Sequence, residues 1–314
     1  MIMSRIVMSA AGPSQGANYA PSGGSAAAAA ASVGGHIKKL VVVGVGLIGG
    51  SIALAARGRR LAERVVGVGR RPEALENAVA GGILDEVTGD LLVAVRRSEV
   101  VVFCTPVDCI ADQVLLASPA CRPGALLTDA GSTKARIVQA LEDRLPAGIR
   151  FVGSHPLAGS EKRGWEHADA DLFEDRLTIV ARTSRTDPAA LEQTAAFWKA
   201  LGSRIRIMDP EEHDQALAVT SHLPHLTAAA LAGILPAELF ELTASGFRDT
   251  TRVAAGDPRL WTAIFAENQG AVLAALAQLR ERLGDWRQIL ENKDWTGLEE
   301  KLAQAKKVRD ALGS

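Results

Sequence analysis

His155 stands in the run Gly-Ser-His-Pro-Leu-Ala-Gly-Ser-Glu-Lys-Arg-Gly-Trp, residues 153–165. Such a run is too poor in apolar residues to be core, so it is either a solvated connection or a loop that holds something. A histidine there either caps backbone groups or works as a general base or acid near neutral pH. Ser132, in Asp-Ala-Gly-Ser-Thr-Lys (129–134), offers a hydroxyl able to bridge a substrate and a histidine. With Thr133 it also suits a helix N-cap. Ser-His-Leu-Pro-His (221–225) spaces His222 and His225 by one helical turn. Metal binding is conceivable at that spacing, but no ligand set is completed, so no metal is expected and His225 reads better as a substrate contact. Gly246–Trp261 carries Arg248, Asp249, Arg252 and Trp261. Its two arginines suit a carboxylate ligand, or else pair with Asp249 at a solvated helix start.

These side chains need elements to position them. Leu40–Val43 is an apolar β-branched run of the kind that forms a fully buried strand. Gly44-Val45-Gly46-Leu47-Ile48-Gly49 follows, and then an alanine-rich helical pattern to about Arg60. Strand, glycine turn and helix make a dinucleotide-binding unit. The first glycine allows the tight turn, the second admits the pyrophosphate, and the third lets helix and strand pack. A second strand, Arg64–Gly69, arrives about twenty residues later, as the unit requires. It ends in Gly69-Arg70-Arg71, where an NAD site usually has a carboxylate. Two guanidiniums suit a 2′-phosphate, which favours NADP and leaves NAD possible. The alternative is a solvated arginine pair.

Further strands are expected at Glu99–Pro106, Ala125–Lys134, Arg150–Pro156 and Arg176–Arg182. Ligands of open parallel sheets lie beyond the carboxyl ends of the strands. That places Thr105, Pro106, Asp129, Ser132, Lys134 and His155 on one rim. After Asp209 the apolar period becomes helical and no strand is expected. The organisation predicted is thus α/β: a low-complexity tail over 1–36, a Rossmann-type NAD(P)-binding domain over 37–208, and an all-helical domain over 209–314. The long apolar faces of the latter suggest an intertwined homodimer.

Composition narrows the class. The chain has 314 residues, 47% hydrophobic, and a net charge of −1 with no basic block, so no nucleic-acid partner is implied. No apolar run is long enough to cross a membrane. Three cysteines, Cys104, Cys109 and Cys121, are too few and too odd in number for a disulfide framework and fit a reducing cytosol. The Ala/Gly/Ser/Pro-rich start reads as disordered.

Together the glycine turn, Asp-Ala-Gly-Ser-Thr-Lys, Ser-His-Pro-Leu-Ala-Gly, Glu-Glu-His-Asp with Ser-His-Leu-Pro-His, and Gly-Phe-Arg-Asp-Thr-Thr-Arg with Asp-Pro-Arg-Leu-Trp resemble the prephenate/arogenate dehydrogenase family of tyrosine biosynthesis, from about Lys38 to Leu290. The resemblance implies oxidation of a cyclohexadienyl ring at C4 with loss of its carboxylate as CO2. It makes His155 the base that accepts the C4 hydroxyl proton and Ser132 a hydrogen-bonding partner of that hydroxyl. Arg252 would hold the ring carboxylate and His225 would touch the substrate, with Arg248, Asp249 and Trp261 lining or supporting the pocket. Glu161 and Arg163 would lie over the side chain that distinguishes prephenate from arogenate, with a slight lean to prephenate. Gly44, Gly46, Leu47, Ile48, Gly49, Arg70, Arg71, Thr105, Pro106 and Asp129 would serve the cofactor. The helical domain would form the dimer and complete the site. Two departures stand out: the arginine pair after the second strand, and a chain end at Ser314 that leaves no room for a fused mutase or regulatory domain. Competing readings are a β-hydroxyacid dehydrogenase or imine reductase, and a non-catalytic NADP-binding sensor.

Overall fold

The structure, a computed structural model, describes residues 36–160, 162 and 164–313. The tail expected over 1–36 therefore lies outside the described residues, His36 excepted, and so do Glu161 and Arg163. Strands β1 (Leu40–Val43), β2 (Val65–Val68), β3 (Glu86–Thr88), β4 (Val100–Phe103), β5 (Leu126–Asp129) and β6 (Arg150–Val152) form one sheet in the order β3-β2-β1-β4-β5-β6. Every pair in it is parallel. This is the doubly wound dinucleotide-binding order.

The apolar runs are explained by burial on both faces. Val42, Val65, Val102 and Leu126 pack with α1 (Leu47–Gly58) and with Phe197 and Trp198 of α4 (Pro188–Ala200). Val41, Val66, Phe103 and Leu127 pack on the other face with α2 (Val107–Ala117) and α3 (Ala135–Leu141). Alternate residues of each strand thus feed two cores.

One expectation is corrected. Arg150–Pro156 is not a single strand: β6 stops at Val152, and β7 (Ser154–Pro156) joins a second sheet, β7-β8-β9. The Asp129 carboxylate accepts the Ser154 amide at 2.9 Å and draws the backbone out of the parallel ladder. A Cβ at Gly153 would press on the Lys134 and Val138 side chains at 3.2 and 3.3 Å, so glycine suits the crossing. β7 pairs antiparallel with β8 (Leu177–Ala181), and β8 pairs parallel with β9 (Arg204–Met208). The sequence reading also missed β3, only three residues long, and β9, where Arg and Ile alternate.

Beyond Met208 the described residues are helical or irregular. Helix α5 (Pro210–Leu217) runs through a wider π turn, Ala218–His222, into α6 (Leu223–Gly233). Then come α7 (Ser245–Thr251), α8 (Pro258–Glu267), α9 (Gln269–Glu291) and α10 (Trp295–Ala311). Helices α4, α5 and α8 each start at Asp-Pro, the carboxylate accepting first-turn amides and proline supplying a preset φ. Ile264 of α8 joins the α2 side of the sheet core, so the two regions share apolar packing. Elsewhere the helical region buries a small apolar cluster, Ala218, Val272 and Ala275, and a polar group made of His213, Asp214, His222, His225 and Asn268. Leu276, Leu283 and Leu290 recur every seven residues along α9 and are all exposed.

Candidate active site

The glycine turn meets the steric demands of a dinucleotide cradle. Gly44 has φ +91°, and a Cβ there would lie 2.9 Å from the Cys104 carbonyl. A Cβ on Gly49 would overlap the Gly44 carbonyl oxygen. Both glycines are therefore required by the protein itself. Gly46 is different: a Cβ there would meet nothing within 4 Å. Its open side faces the start of α1, whose first turn has no side-chain cap and no acidic residue. Uncapped amides beside an open glycine fit a pyrophosphate. Leu47 and Ile48 open the helix. Thr105 and Pro106 follow β4 on the same rim. The Thr105 hydroxyl donates to Gln113 at 2.6 Å, and Pro106 is exposed. Arg70 and Arg71 are exposed just past β2, with no ion-pair partner among the described residues.

The loop after His155 returns over this cradle. Gly159 approaches Ile48, the Asp169 amide donates to Ser51 Oγ at 2.9 Å, and Ala168 packs on Gly50 of α1. Trp165 Nε1 donates to the Ala74 carbonyl at 3.3 Å.

Asp129 and Lys134 do not face a ligand, contrary to expectation. Both side chains are wholly buried and form an ion pair with each other. The Asp129 carboxylate also accepts the amides of Gly131 and Ser154 at 2.9 Å each. Ser154 Oγ in turn accepts from Trp198 Nε1 at 2.7 Å and shares a hydrogen bond with Thr128. A carboxylate this fully occupied positions the Ser154-His155 backbone instead of reaching cofactor.

The N-cap expectation for Ser132 and Thr133 is corrected as well. Lys134 occupies the N-cap of α3, without a side-chain cap. The capping carboxylate comes from the helical region: Asp214 accepts the amides of Lys134 at 2.8 Å and Ala135 at 2.9 Å. Ser132 stays half-buried, and the buried Thr133 hydroxyl has no hydrogen-bond partner among the described residues.

His155 Nδ1 lies 2.9 Å from His213 Nε2, and His213 Nδ1 lies 2.7 Å from Asp214 Oδ1. Burial, with repulsion from His213, Lys134 and His222, holds the His155 pKa well below the ordinary value of 6.5. Burial likewise lowers His213, against the pull of Asp214. Asn268 Nδ2 bridges the Asp214 carbonyl (2.7 Å) to His222 Nδ1 (3.1 Å). His222 is pushed down to about 4, chiefly by burial. Its ring meets Trp261 edge-on, and His225 stacks on the same indole at 3.6 Å. Gly256 leaves room for that stack. His225 and Trp261 are thus brought together with His155 through one continuous network. Arg248, Asp249 and Arg252 lie on α7 and the turn after it, exposed. That turn packs against α6, which carries His225. His213, Asp214 and Asn268 received no role from the sequence. Only the position of Glu-Glu-His-Asp, directly after the last strand, offered a signal. Among the described residues no group of three or more His, Cys, Asp or Glu could hold a metal, and no helix is long and apolar enough to cross a membrane.

Comparison with known proteins agrees with this architecture. Residues 52–207 match the prephenate dehydrogenase nucleotide-binding domain, and residues 209–304 match the prephenate dehydrogenase dimerization domain. The chain is 35% identical over 282 residues to a cyclohexadienyl dehydrogenase of Zymomonas mobilis, covering 88% of this chain and 96% of that one. It is 33% identical to a Bacillus subtilis prephenate dehydrogenase, covering 87% and 76%. A crystal structure of Aquifex aeolicus prephenate dehydrogenase with hydroxyphenyl propionate and NAD+ superposes with TM-score 0.82, at 32% identity over 88% of this chain and 98% of that one. A 3-hydroxyisobutyrate dehydrogenase from Salmonella typhimurium, at 15% identity and TM-score 0.55, shares the fold alone. The chain belongs to the prephenate/arogenate dehydrogenase family and is a nicotinamide-dependent oxidoreductase of tyrosine biosynthesis.

Proposed function

We propose that the chain oxidises prephenate at C4 with NADP+ and releases CO2, arogenate being the alternative substrate and NAD+ the alternative cofactor. The observation that carries this reading is His155 of β7, held at one ring nitrogen by His213, its pKa lowered by burial, and followed by a loop that folds back over the glycine turn. A neutral imidazole is the form that accepts a proton. His155 takes the proton of the C4 hydroxyl, and Ser132 hydrogen-bonds the same oxygen. The nicotinamide, when bound, supplies the hydride acceptor. The resulting dienone is vinylogous to a β-keto acid, so it loses CO2 and becomes aromatic.

Arg252 holds the ring carboxylate, which matches its exposure on the turn beside α6. His225 and Trp261 form one wall, with Arg248 and Asp249 at its edge. Gly44, Gly46, Leu47, Ile48 and Gly49 cradle the pyrophosphate, flanked by Thr105 and Pro106. Arg70 and Arg71, exposed and in no ion pair among the described residues, bind the 2′-phosphate. The boundary between nucleotide and helical domains lies at 208/209. The exposed leucines of α9 support a homodimer, and three unpaired cysteines support a cytosolic setting.

Purified protein, crossed with prephenate and arogenate and with NAD+ and NADP+, tests the reading by the absorbance of the reduced nicotinamide. Turnover should be fastest with prephenate and NADP+. Exclusive use of NAD+ would refute the role of Arg70 and Arg71. His155→Asn should cost about 10²–10⁴-fold in kcat and leave cofactor affinity intact. Full activity in that variant would remove His155 from the chemistry.

A further inference from the structure

The two contacts on either side of His213 determine where the protons are. A carboxylate only accepts, so the 2.7 Å contact to Asp214 requires the proton of His213 on Nδ1. Neutral His213 then presents a bare Nε2. The 2.9 Å contact from that nitrogen to His155 Nδ1 can be a hydrogen bond only if His155 donates. His155 is therefore protonated on Nδ1 and bare on Nε2, the reverse of the form that predominates in free histidine. Asp214 is fixed in its turn, because it accepts the two amides that open α3. His213 is wholly buried, and Asp214 nearly so.

We propose that His213, backed by Asp214, is the positioning residue of the reaction: it sets the tautomer and ring orientation of His155 so that Nε2 is the proton acceptor. This rests on the reading of His155 as the base. The step balances simply. The C4 hydroxyl proton moves to His155 Nε2, and the resulting imidazolium strengthens its Nδ1–H bond to His213. The hydrogen bond to Asp214 polarises His213 and steadies that positive charge, while no proton need pass beyond His155. The arrangement has the logic of a histidine oriented by a carboxylate, with a second imidazole interposed. It also joins the domains, since His213 and Asp214 belong to α5 and their partners to β7 and α3. Asp214 touches the backbone two residues after Ser132. One carboxylate thereby references both proposed reacting groups to the helical domain.

The charged and titratable groups around His155 are Lys134 from the α3 start, His213 and Asp214 from α5, His222 from the π turn, and Asp129 behind Lys134. Of these, His213 is the one in direct contact. The test uses two variants of the full-length protein. His213→Phe keeps a ring but abolishes both hydrogen bonds. His213→Gln retains a carbonyl able to accept from His155 Nδ1. Loss of the tautomer-setting partner should lower kcat about 10²–10³-fold in His213→Phe, with KM changed by no more than about threefold. His213→Gln should recover at least about tenfold of that loss. Nitrogen-15 spectra of histidine-labelled protein give a readout independent of turnover. Wild type should show His155 as the Nδ1–H form, and His213→Phe should shift it toward Nε2–H.

An Nε2–H signal for His155 in wild type overturns the proposal, as does His213→Phe with near-normal kcat. Equal loss in both variants, with the tautomer unchanged, also overturns it and reduces His213 to packing. If His213→Phe fails to fold, the wild-type spectrum and the kcat of His213→Gln decide the matter. Should His155→Asn prove fully active, the reading of His155 as base fails, whatever the spectra show.

Discussion

The carboxylate of Asp214, on the first helix of the helical domain, caps the first turn of α3 in the nucleotide domain by accepting the amides of Lys134 and Ala135. It thereby fixes the loop that carries Ser132. The same carboxylate holds His213, which holds His155. Asp214→Asn should destabilise the protein by about 1–3 kcal/mol, since hydrogen bonds to a charged group are replaced by weaker ones. Urea titration measures the loss. Amide exchange at Lys134 and Ala135 should accelerate more than exchange in β1; uniform acceleration would contradict the cap.

Glycines of the turn should separate into two kinds. Gly49→Ala places a methyl against the Gly44 carbonyl and should lower the melting temperature sharply. Gly46→Ala meets only open space, so the apoprotein should keep its stability while affinity for the nicotinamide cofactor falls by about tenfold or more. Titration calorimetry and thermal melts of the two variants tell them apart. Unchanged affinity in Gly46→Ala would mean that the pyrophosphate lies elsewhere.

Asp129 and Lys134 form a buried pair, and removing one partner leaves a buried charge alone. Asp129→Ala should cost about 3–5 kcal/mol. The double variant Asp129→Ala with Lys134→Met should cost less than the single one, because no charge remains. A double-mutant cycle in urea measures the difference.

The buried histidines make stability fall in acid. His155, His213 and His222 are held neutral in the fold, His222 down to about 4, whereas the unfolded chain titrates near 6.5. Between those values the unfolded chain binds more protons, so stability drops as pH falls through that window. The largest slope from one such group is about 1.4 kcal/mol per pH unit. Urea midpoints taken from neutral pH to about pH 5 should decline, and His222→Gln should flatten the decline. A midpoint independent of pH would show that these histidines titrate alike in the folded and unfolded chain.

The leucine stripe of α9 should be an interface. Leu283→Glu, in the middle of Leu276, Leu283 and Leu290, should convert a dimer to a monomer in light scattering. A dimer that survives this change would place the contact on another face.

The local sequence determined the nucleotide fold. An apolar run buried on both faces, a glycine turn and an alanine-rich helix are short-range signals, and β1 begins and ends where they place it. The helical second half was equally legible, whereas His155, read as a strand-end residue, lies in the middle of β7. Tertiary structure alone decided the rest. Asp129 reads as a rim residue because its strand ends there, yet its carboxylate turns inward to Lys134 and Ser154 and divides the run after β6. Ser132 and Thr133 read as helix caps, yet the cap is Asp214, eighty residues beyond Lys134. His213 looks like any helical histidine until packing brings it to His155. Hydrogen bonds between distant segments leave no periodicity or spacing behind, so side-chain alliances of this kind emerge only when the two domains are folded together.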